Sequence, residues 1–478
     1  MRKTFCSLVA AIALLLPKDA VAIDLPDVIG DNMVIQQQSQ ALLWGWTGKN
    51  ENVTIVTSWD NARHTAKGDK NGRWQVRVAT PEASYTPYDI TFSDSESTIV
   101  AHNVLAGEVW FCSGQSNMEM PLNGFWTQPI ADSNREIAFS GRYRGRIRMA
   151  TVPKVAALMP AERVEGKWKE CMPENAAWFS AVGYHFAKSL TEILNVPVGI
   201  INCSWGGSHV EGWMPESELR KYSDVDITQA GNKNIREWDQ PMIMYNGMLH
   251  PLIGYTVKGF LWNQGESNVG KHEVYAERLS RMVEIWREAW HQGELPFYMV
   301  EIPPYSYGDP DATNAALLRE SQHRAAKLIN HSGIVCTSDL AKPHEVEDIH
   351  ASSKQPIGER LAFLAAVNDY GIGGIACQSP TFRNMEVDGN TALLHFDNAP
   401  DGFTPNRNLQ GFEVADSDRV FHQAIAEEVF DTRDIRLSCP EVNKIVAVRY
   451  CFKNFAIGKV HNLRWLPLVP FRTDNWEK

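Results

Sequence analysis

The chain has 478 residues, 44% hydrophobic and 22% charged, an ordinary globular composition with no signature of disorder. That length is too great for one core, so two or three domains are expected. A formal net charge of −11, with no Lys/Arg run, argues against a nucleic-acid binder, which needs a basic face against phosphates.

In chain order, the first element is a leader. Arg2 and Lys3 precede a mostly apolar stretch from Phe5 to Leu16, and Ala20-Val21-Ala22 supplies small residues at a cleavage spacing. The apolar run is too short to span a bilayer, and no later stretch is long and apolar enough to do so. We read residues 1–22 as a secretory signal, with the mature chain starting near Ile23 and working outside the cytoplasm, in the periplasm or beyond the cell. The alternative is a buried N-terminal helix. Cys6 goes with the leader. The seven remaining cysteines cannot all pair, and they lie scattered in apolar segments rather than in CxxC clusters. Buried free thiols are expected for most, and a zinc site is not.

Residues 23–103 read as a small antiparallel β sandwich, with strands at 41–46, 52–58 and 74–79 between Gly, Asn, Asp and Lys turns. The character changes over 104–370. Apolar strands at 109–112, 147–152, 198–203, 257–262, 297–302 and 334–338 alternate with amphipathic helices at 182–194, 273–290 and 315–330. Apolar strands joined by helices imply a parallel sheet covered on both faces, so the class is α/β. Ligands in such sheets bind beyond the carboxyl ends of the strands. After Gly371 β character returns over 371–478, clearest at 391–396, 411–414 and 446–450, as a second β module or an extension that packs back on the first.

Four predicted strand ends carry unusual residues. Ser113-Gly114-Gln115-Ser116-Asn117-Met118 follows the first strand, and a serine beyond a Gly-bearing turn can aim its hydroxyl into a cleft with its own N–H free as an oxyanion donor. Its plain reading is a polar turn. Ser204-Trp205-Gly206-Gly207-Ser208 follows the strand at 198–203, where paired glycines let backbone N–H groups approach a ligand or merely turn tightly. Trp262-Asn263-Gln264-Gly265-Glu266-Ser267-Asn268 crowds amides and a carboxylate at a strand end, costly to bury unless they bond something specific. An amide there can be an oxyanion donor; Glu266 also suits a loop-ordering network. Asp348-Ile349-His350 supplies a base and an acceptor to fix its tautomer, two residues apart and so facing the same way on an extended segment. Glu347 is a rival acceptor. His344, Glu345, Glu347, Asp348 and His350 also look metal-ready, but the spacing is not HExxH and no second ligand cluster accompanies it.

Together these residues make an acyl-transfer set. The order Ser, Asp, His is that of the α/β-hydrolases, but their GxSxG elbow is missing around Ser116, which disfavours that fold. The motifs GEVWFCSGQSNM (107–118), SWGG (204–207), WNQGESN (262–268) and DIH (348–350) resemble the sialate O-acetylesterase family of SGNH-type hydrolases. DNMVIQ (31–36), YNGM (245–248) and PFRTD (470–474) extend the resemblance over nearly the whole length.

The resemblance implies a flavodoxin-like three-layer hydrolase domain flanked by β modules. Ser116 would be the nucleophile, His350 the base and Asp348 its orienting carboxylate. Gly207 (backbone) and Gln264 (side chain) would join the Ser116 N–H in the oxyanion hole. No metal or organic cofactor is implied. The family commonly has Pro after DIH, where this chain has Ala351; proline would pre-set the backbone there, and its absence removes no catalytic group. Asn263, Glu266 and Arg144 are candidates for the substrate side; an arginine in the segment 123–146 could grip a sialic acid carboxylate, or stand as solvated surface. The expected partner is an O-acetylated sugar, most of all an O-acetylated sialic acid. Acetylated xylan or pectin, a carbohydrate-binding protein without catalysis, and a metal-dependent hydrolase are the alternatives. No sequence feature specifies an oligomer.

Overall fold

The computed structural model describes residues 22–476, so the leader expected over 1–22 lies, but for Ala22, outside the described residues. Seven strands build the central sheet: β1 (Thr98–Gly114), β2 (Ile147–Thr151), β3 (Trp168–Glu170), β4 (Val198–Ser204), β5 (Gly259–Asn263), β6 (Phe297–Val300) and β7 (Ser332–Val335). Five helices matter for the site: α1 (Ser116–Glu119), α2 (Ala181–Leu194), α3 (His272–Trp290), α4 (Asn314–Leu328) and α5 (Gln355–Asn368). The strand order is β7-β6-β5-β1-β4-β2-β3, parallel throughout except for β3, which runs against β2.

Alternation along the strands explains the two covered faces. Trp110, Cys112, Ile200, Leu261 and Tyr298 point to the side covered by α2 and α5. Val109, Phe111, Ile201, Phe260 and Trp262 point to the side covered by α3 and α4, where Trp286 and Trp290 of α3 pack on them. Burial of such side chains stabilises by roughly 1.5–3 kcal/mol each. The register sets Gly114 opposite both Ser204 and Asn263. Three chain segments therefore leave the sheet side by side at its carboxyl edge.

The sheet is mixed rather than purely parallel, and it is wider than expected. β1 is 17 residues long, not the short strand read at 109–112. Its first half pairs antiparallel with Ser84–Ser93 and, at 105–107, parallel with Val34–Gln36. The strands Asn52–Thr57 and Arg63–Lys67 extend the same sheet, and Gln40–Trp46 with Arg73–Ala79 forms a separate antiparallel pair. The chain thus passes from the first β module into the central sheet along one continuous strand.

Beyond residue 370, two antiparallel four-stranded sheets enclose a core that includes Leu394, Phe412, Leu437, Tyr450 and Phe471. The seven cysteines among the described residues are free thiols, all buried except the partly exposed Cys377. Among the described residues no helix is long and apolar enough to cross a membrane.

Candidate active site

The turn after β1 fixes the first component. Gly114 has φ +129°, and a Cβ there would lie 2.1 Å from the carbonyl oxygen of Asn263, so only glycine lets β1 and β5 end this close together. Gln115 follows in extended conformation and Ser116 opens α1, half-exposed, directly beyond the sheet edge. The Gln115 side-chain oxygen accepts the N–H groups of Gly265 (3.2 Å) and Ser267 (3.3 Å), tying the turn at Ser116 to the segment after β5.

The segment after β4 comes against the same serine. A Cβ on Gly206 would lie 3.1 Å from the Ser116 Cβ. The Gly206 N–H donates to Glu119 Oε2 (2.6 Å), and Lys154 balances that carboxylate at 2.7 Å. The N–H groups of Gly207 and Ser116 have no acceptor among the described residues.

His350 reaches the site through Asn117. The Asn117 amide donates to the Ile349 carbonyl (3.1 Å) and to buried Glu266, and accepts from the Lys354 ammonium. The residue after the serine is therefore bonded to the residue before the histidine. His350 Nε2 is buried and has no partner, and no hydrogen bond joins it to Ser116 Oγ; catalytic contacts are often long before substrate arrives. Burial, and secondarily the Lys354 charge, pushes the His350 imidazole down to about 4. Burial also pushes Lys354 down to about 8 and raises the Glu266 carboxyl, with each charge opposing the other's shift.

The partner of the His350 ring is neither candidate acceptor. Asp348 Oδ1 accepts the His350 backbone N–H (3.0 Å) and the Gln128 side-chain amide (2.9 Å). Glu347 turns away to accept from Ser306 (2.9 Å). The ring's Nδ1 lies instead 2.6 Å from Gln128 Oε1. Gln128 closes a tight hairpin with Phe125, whose ring packs edge-on against the imidazole at 5.2 Å.

Two further sequence candidates lie elsewhere than expected. Gln264 is fully buried and donates to Ser208 O (3.0 Å) and Asn268 Oδ1 (2.7 Å), which engages both its amide hydrogens. Strand alternation explains this, because Gln264 continues the Trp262 face toward Tyr275 of α3. Asn263, on the opposite face, is 1% exposed with both amide atoms unpartnered. Arg144 is exposed and pairs with Glu170 at 3.4 Å, beside the amino-terminal start of β2 and far along the strands from Ser116. It is not placed to grip a ligand at the carboxyl edge. Glu266 sits behind Asn117, a loop-ordering position.

Sequence reasoning missed Gln128, Lys354, Asn117 and Glu119. Asn117 stood inside a recognised motif; a lone lysine and a lone glutamine in loops carry no pattern. The acidic cluster at 344–350 is engaged locally, Glu345 accepting the N–H groups of Lys342 and Ser352, and among the described residues no group of three or more His, Cys, Asp or Glu is arranged to hold a metal.

With this geometry in view, comparison with known proteins is direct. Residues 106–366 match the family model described as carbohydrate esterase, sialic acid-specific acetylesterase. A solved carbohydrate acetylesterase from Xanthomonas citri is 33% identical, with a TM-score of 0.84, covering 95% of this chain and 100% of its own. The sialate O-acetylesterase of Mus musculus is 25% identical over 93% of each chain, and that of Homo sapiens 26% identical over 77% of this chain and 75% of its own. The matched segment spans every residue of the site, from the turn at Gly114 to Lys354, and the chain belongs to the carbohydrate esterase, sialic acid-specific acetylesterase family of ester hydrolases.

Proposed function

We propose that the protein hydrolyses acetyl esters of sugars through an acetyl-enzyme on Ser116, with His350 as base. Ser116 Oγ attacks the acetyl carbonyl carbon while His350 Nε2 takes its proton. The Ser116 and Gly207 N–H groups, with Asn263 Nδ2 in place of the engaged Gln264, stabilise the tetrahedral oxyanion. Collapse expels the sugar oxygen, which takes the proton from Nε2. Water, deprotonated by the same nitrogen, then releases acetate and restores the serine.

The observation that carries this reading is the partnerless, buried Nε2 of His350 on the loop that Asn117 bonds beside Ser116. An unpaired buried nitrogen costs free energy that a proton-transfer role accounts for. The chain order of the five strands β1, β4, β5, β6 and β7, laid out 2-1-3-4-5, supports the flavodoxin-like SGNH frame for residues 104–370, with 23–103 and 371–478 as flanking modules. O-acetylated sialic acids are the first substrates to test, from the names of the mammalian relatives; acetylated xylan and pectin follow, because the same catalytic set would serve them and the Xanthomonas relative is described more broadly as a carbohydrate acetylesterase. A leader over 1–22 would deliver the enzyme to such extracytoplasmic sugars.

The test is an acetate-release panel comparing acetylated sialic acids with acetylated xylan, run on wild type, Ser116→Ala and Asn263→Ala. Loss of the serine should remove several orders of magnitude in rate, and loss of the Asn263 amide about 10²–10³-fold in kcat. Wild-type turnover by the serine variant would end the reading.

A further inference from the structure

We propose that Gln128 is a positioning residue that carries the influence of Asp348 to His350, forming the middle link of a carboxylate–amide–imidazole chain that holds the imidazole with Nδ1 protonated and Nε2 bare. The proposal rests on the reading of Ser116 and His350 given above and names the device that makes His350 a base.

The geometry leaves Asp348 unable to do this alone. With only one residue between them, its Oδ1 closes a local turn onto the His350 backbone N–H (3.0 Å) and does not bond the ring. What it does bond is the Gln128 amide, at 2.9 Å. A carboxylate only accepts hydrogen bonds, so the end of Gln128 that faces it must be the NH₂ group. The other end, 2.6 Å from His350 Nδ1, must then be the carbonyl oxygen, which also only accepts. Nδ1 must therefore carry the hydrogen. In a neutral imidazole that leaves the lone pair on Nε2, the nitrogen that is buried and unpartnered. The carboxylate thus sets the amide's orientation, and the amide sets the tautomer.

The surrounding structure supports a held rather than incidental amide. Gln128 and Phe125 bond each other's backbones across the hairpin, Gln128 N–H to Phe125 O at 3.1 Å and Phe125 N–H to Gln128 O at 3.0 Å. Phe125 fixes the plane of the imidazole from the side while Gln128 fixes its rotation about the ring. Interposing an amide also keeps the carboxylate one link away from the imidazolium that forms during turnover. The charged groups around the ring are Lys354 and Asp348 on its own loop and Glu266 behind Asn117. A neutral partner on Nδ1 agrees with the strongly lowered proton affinity of this histidine.

The experiment measures kcat, KM and the pH profile for 4-nitrophenyl acetate with full-length wild type, Gln128→Ala, Asp348→Asn, the double variant Gln128→Glu/Asp348→Asn, and Ser116→Ala. Gln128→Ala should lower kcat by about 10²-fold with KM within two-fold, because Gln128 acts on the side of the ring away from the reacting atoms. Asp348→Asn should lose a comparable factor, since an amide at 348 lets Gln128 turn over and present its NH₂ to Nδ1. The double variant moves the carboxylate onto Nδ1 itself. It should recover at least about ten-fold of the rate lost by Gln128→Ala and shift the acid limb upward by about one pH unit, a change that repair of a structural defect would not produce. If Gln128→Ala keeps kcat within two-fold of wild type while Ser116→Ala is dead, the positioning role is refuted and the serine reading stands. If Gln128→Ala does not fold, the double variant decides: an unmoved acid limb refutes the role. Full turnover by Ser116→Ala overturns both.

Discussion

At the scale of single residues, the site is governed by which buried polar atoms are engaged and which are not. Three neighbouring amides show it. Gln264 is fully engaged, Asn117 is a bracket between loops, and Asn263 has nothing to bond. The same logic applies to charge. On the proposed mechanism His350 is neutral when it takes the Ser116 proton, and burial plus the neighbouring ammonium push the imidazole down to about 4, below its ordinary value. Activity should therefore persist well below pH 6.5 and fall only near the bottom of the acid range. Lys354→Met removes the cation that disfavours the imidazolium, so the sign is an acid limb displaced to higher pH. Glu266, whose carboxyl is already raised by burial, can take up a proton in that variant rather than remain a lone buried charge. A kcat/KM profile between pH 3 and 8 checks this; an acid limb that stays put or moves lower would show that Lys354 does not act on the histidine.

At the scale of elements, the strands and long helices were legible because each buries a periodic face. The expected strand at 198–203 is Val198–Ser204, and the expected helix at 273–290 is His272–Trp290. The helix that follows His350 starts only at Gln355, with Pro356 in its first turn, and the four residues between deliver Lys354 to the site. Ser116, Gly207 and His350 could be picked out as candidates because strand ends are where such sheets place ligands. The hairpin that holds His350 was not. Residues 121–129 have neither alternation nor helical period, and their conformation rests on Gly124 at φ +76°, where a Cβ would lie 2.4 Å from the Gln128 carbonyl oxygen. Gly124→Ala cannot keep the turn, so Gln128 and Phe125 should both leave the imidazole. We expect a kcat loss at least as large as that of Gln128→Ala, about 10²-fold, with thermal stability nearly unchanged because the hairpin is peripheral. A crystal structure of the variant with the hairpin in place, or an unchanged kcat, would contradict this. Arg144 is the converse case: its charge suggested recognition, but nothing in the sequence says which end of a strand a loop arginine will occupy.

At the scale of the whole molecule, the C-terminal β module and the loop that carries His350 are joined by hydrogen bonds. Asn454, 1% exposed, is the joint. Its side chain accepts the Ala315 N–H (2.8 Å) at the start of α4 and donates to the carbonyls of Ser306 (3.1 Å) and Asp309 (3.0 Å). Its backbone bonds Ala312 and Tyr305. Ser306 in turn holds the histidine loop, its N–H on Val346 O (3.0 Å) and its hydroxyl on Glu347 (2.9 Å). A path of hydrogen bonds thus runs from the β module to within four residues of His350. Asn454→Ala leaves the buried Ala315 N–H without a partner and removes one of the two donors on each of the Ser306 and Asp309 carbonyls, which keep the N–H groups of Asp309 and Ala312, so a loss of about 1–2 kcal/mol is expected, read as a Tm lowered by a few degrees. Because the loss falls on the loop that carries Glu347 and Asp348, kcat should fall as well, while KM for a small acetyl ester changes little. Asn454→Asp separates the two effects: a carboxylate keeps the acceptor for the Ala315 N–H but faces two carbonyl oxygens with no hydrogen to give, so it should weaken the Ser306 side more than the α4 side. If either variant lost stability but kept full kcat, the β module would be a passive neighbour rather than a support of the catalytic loop.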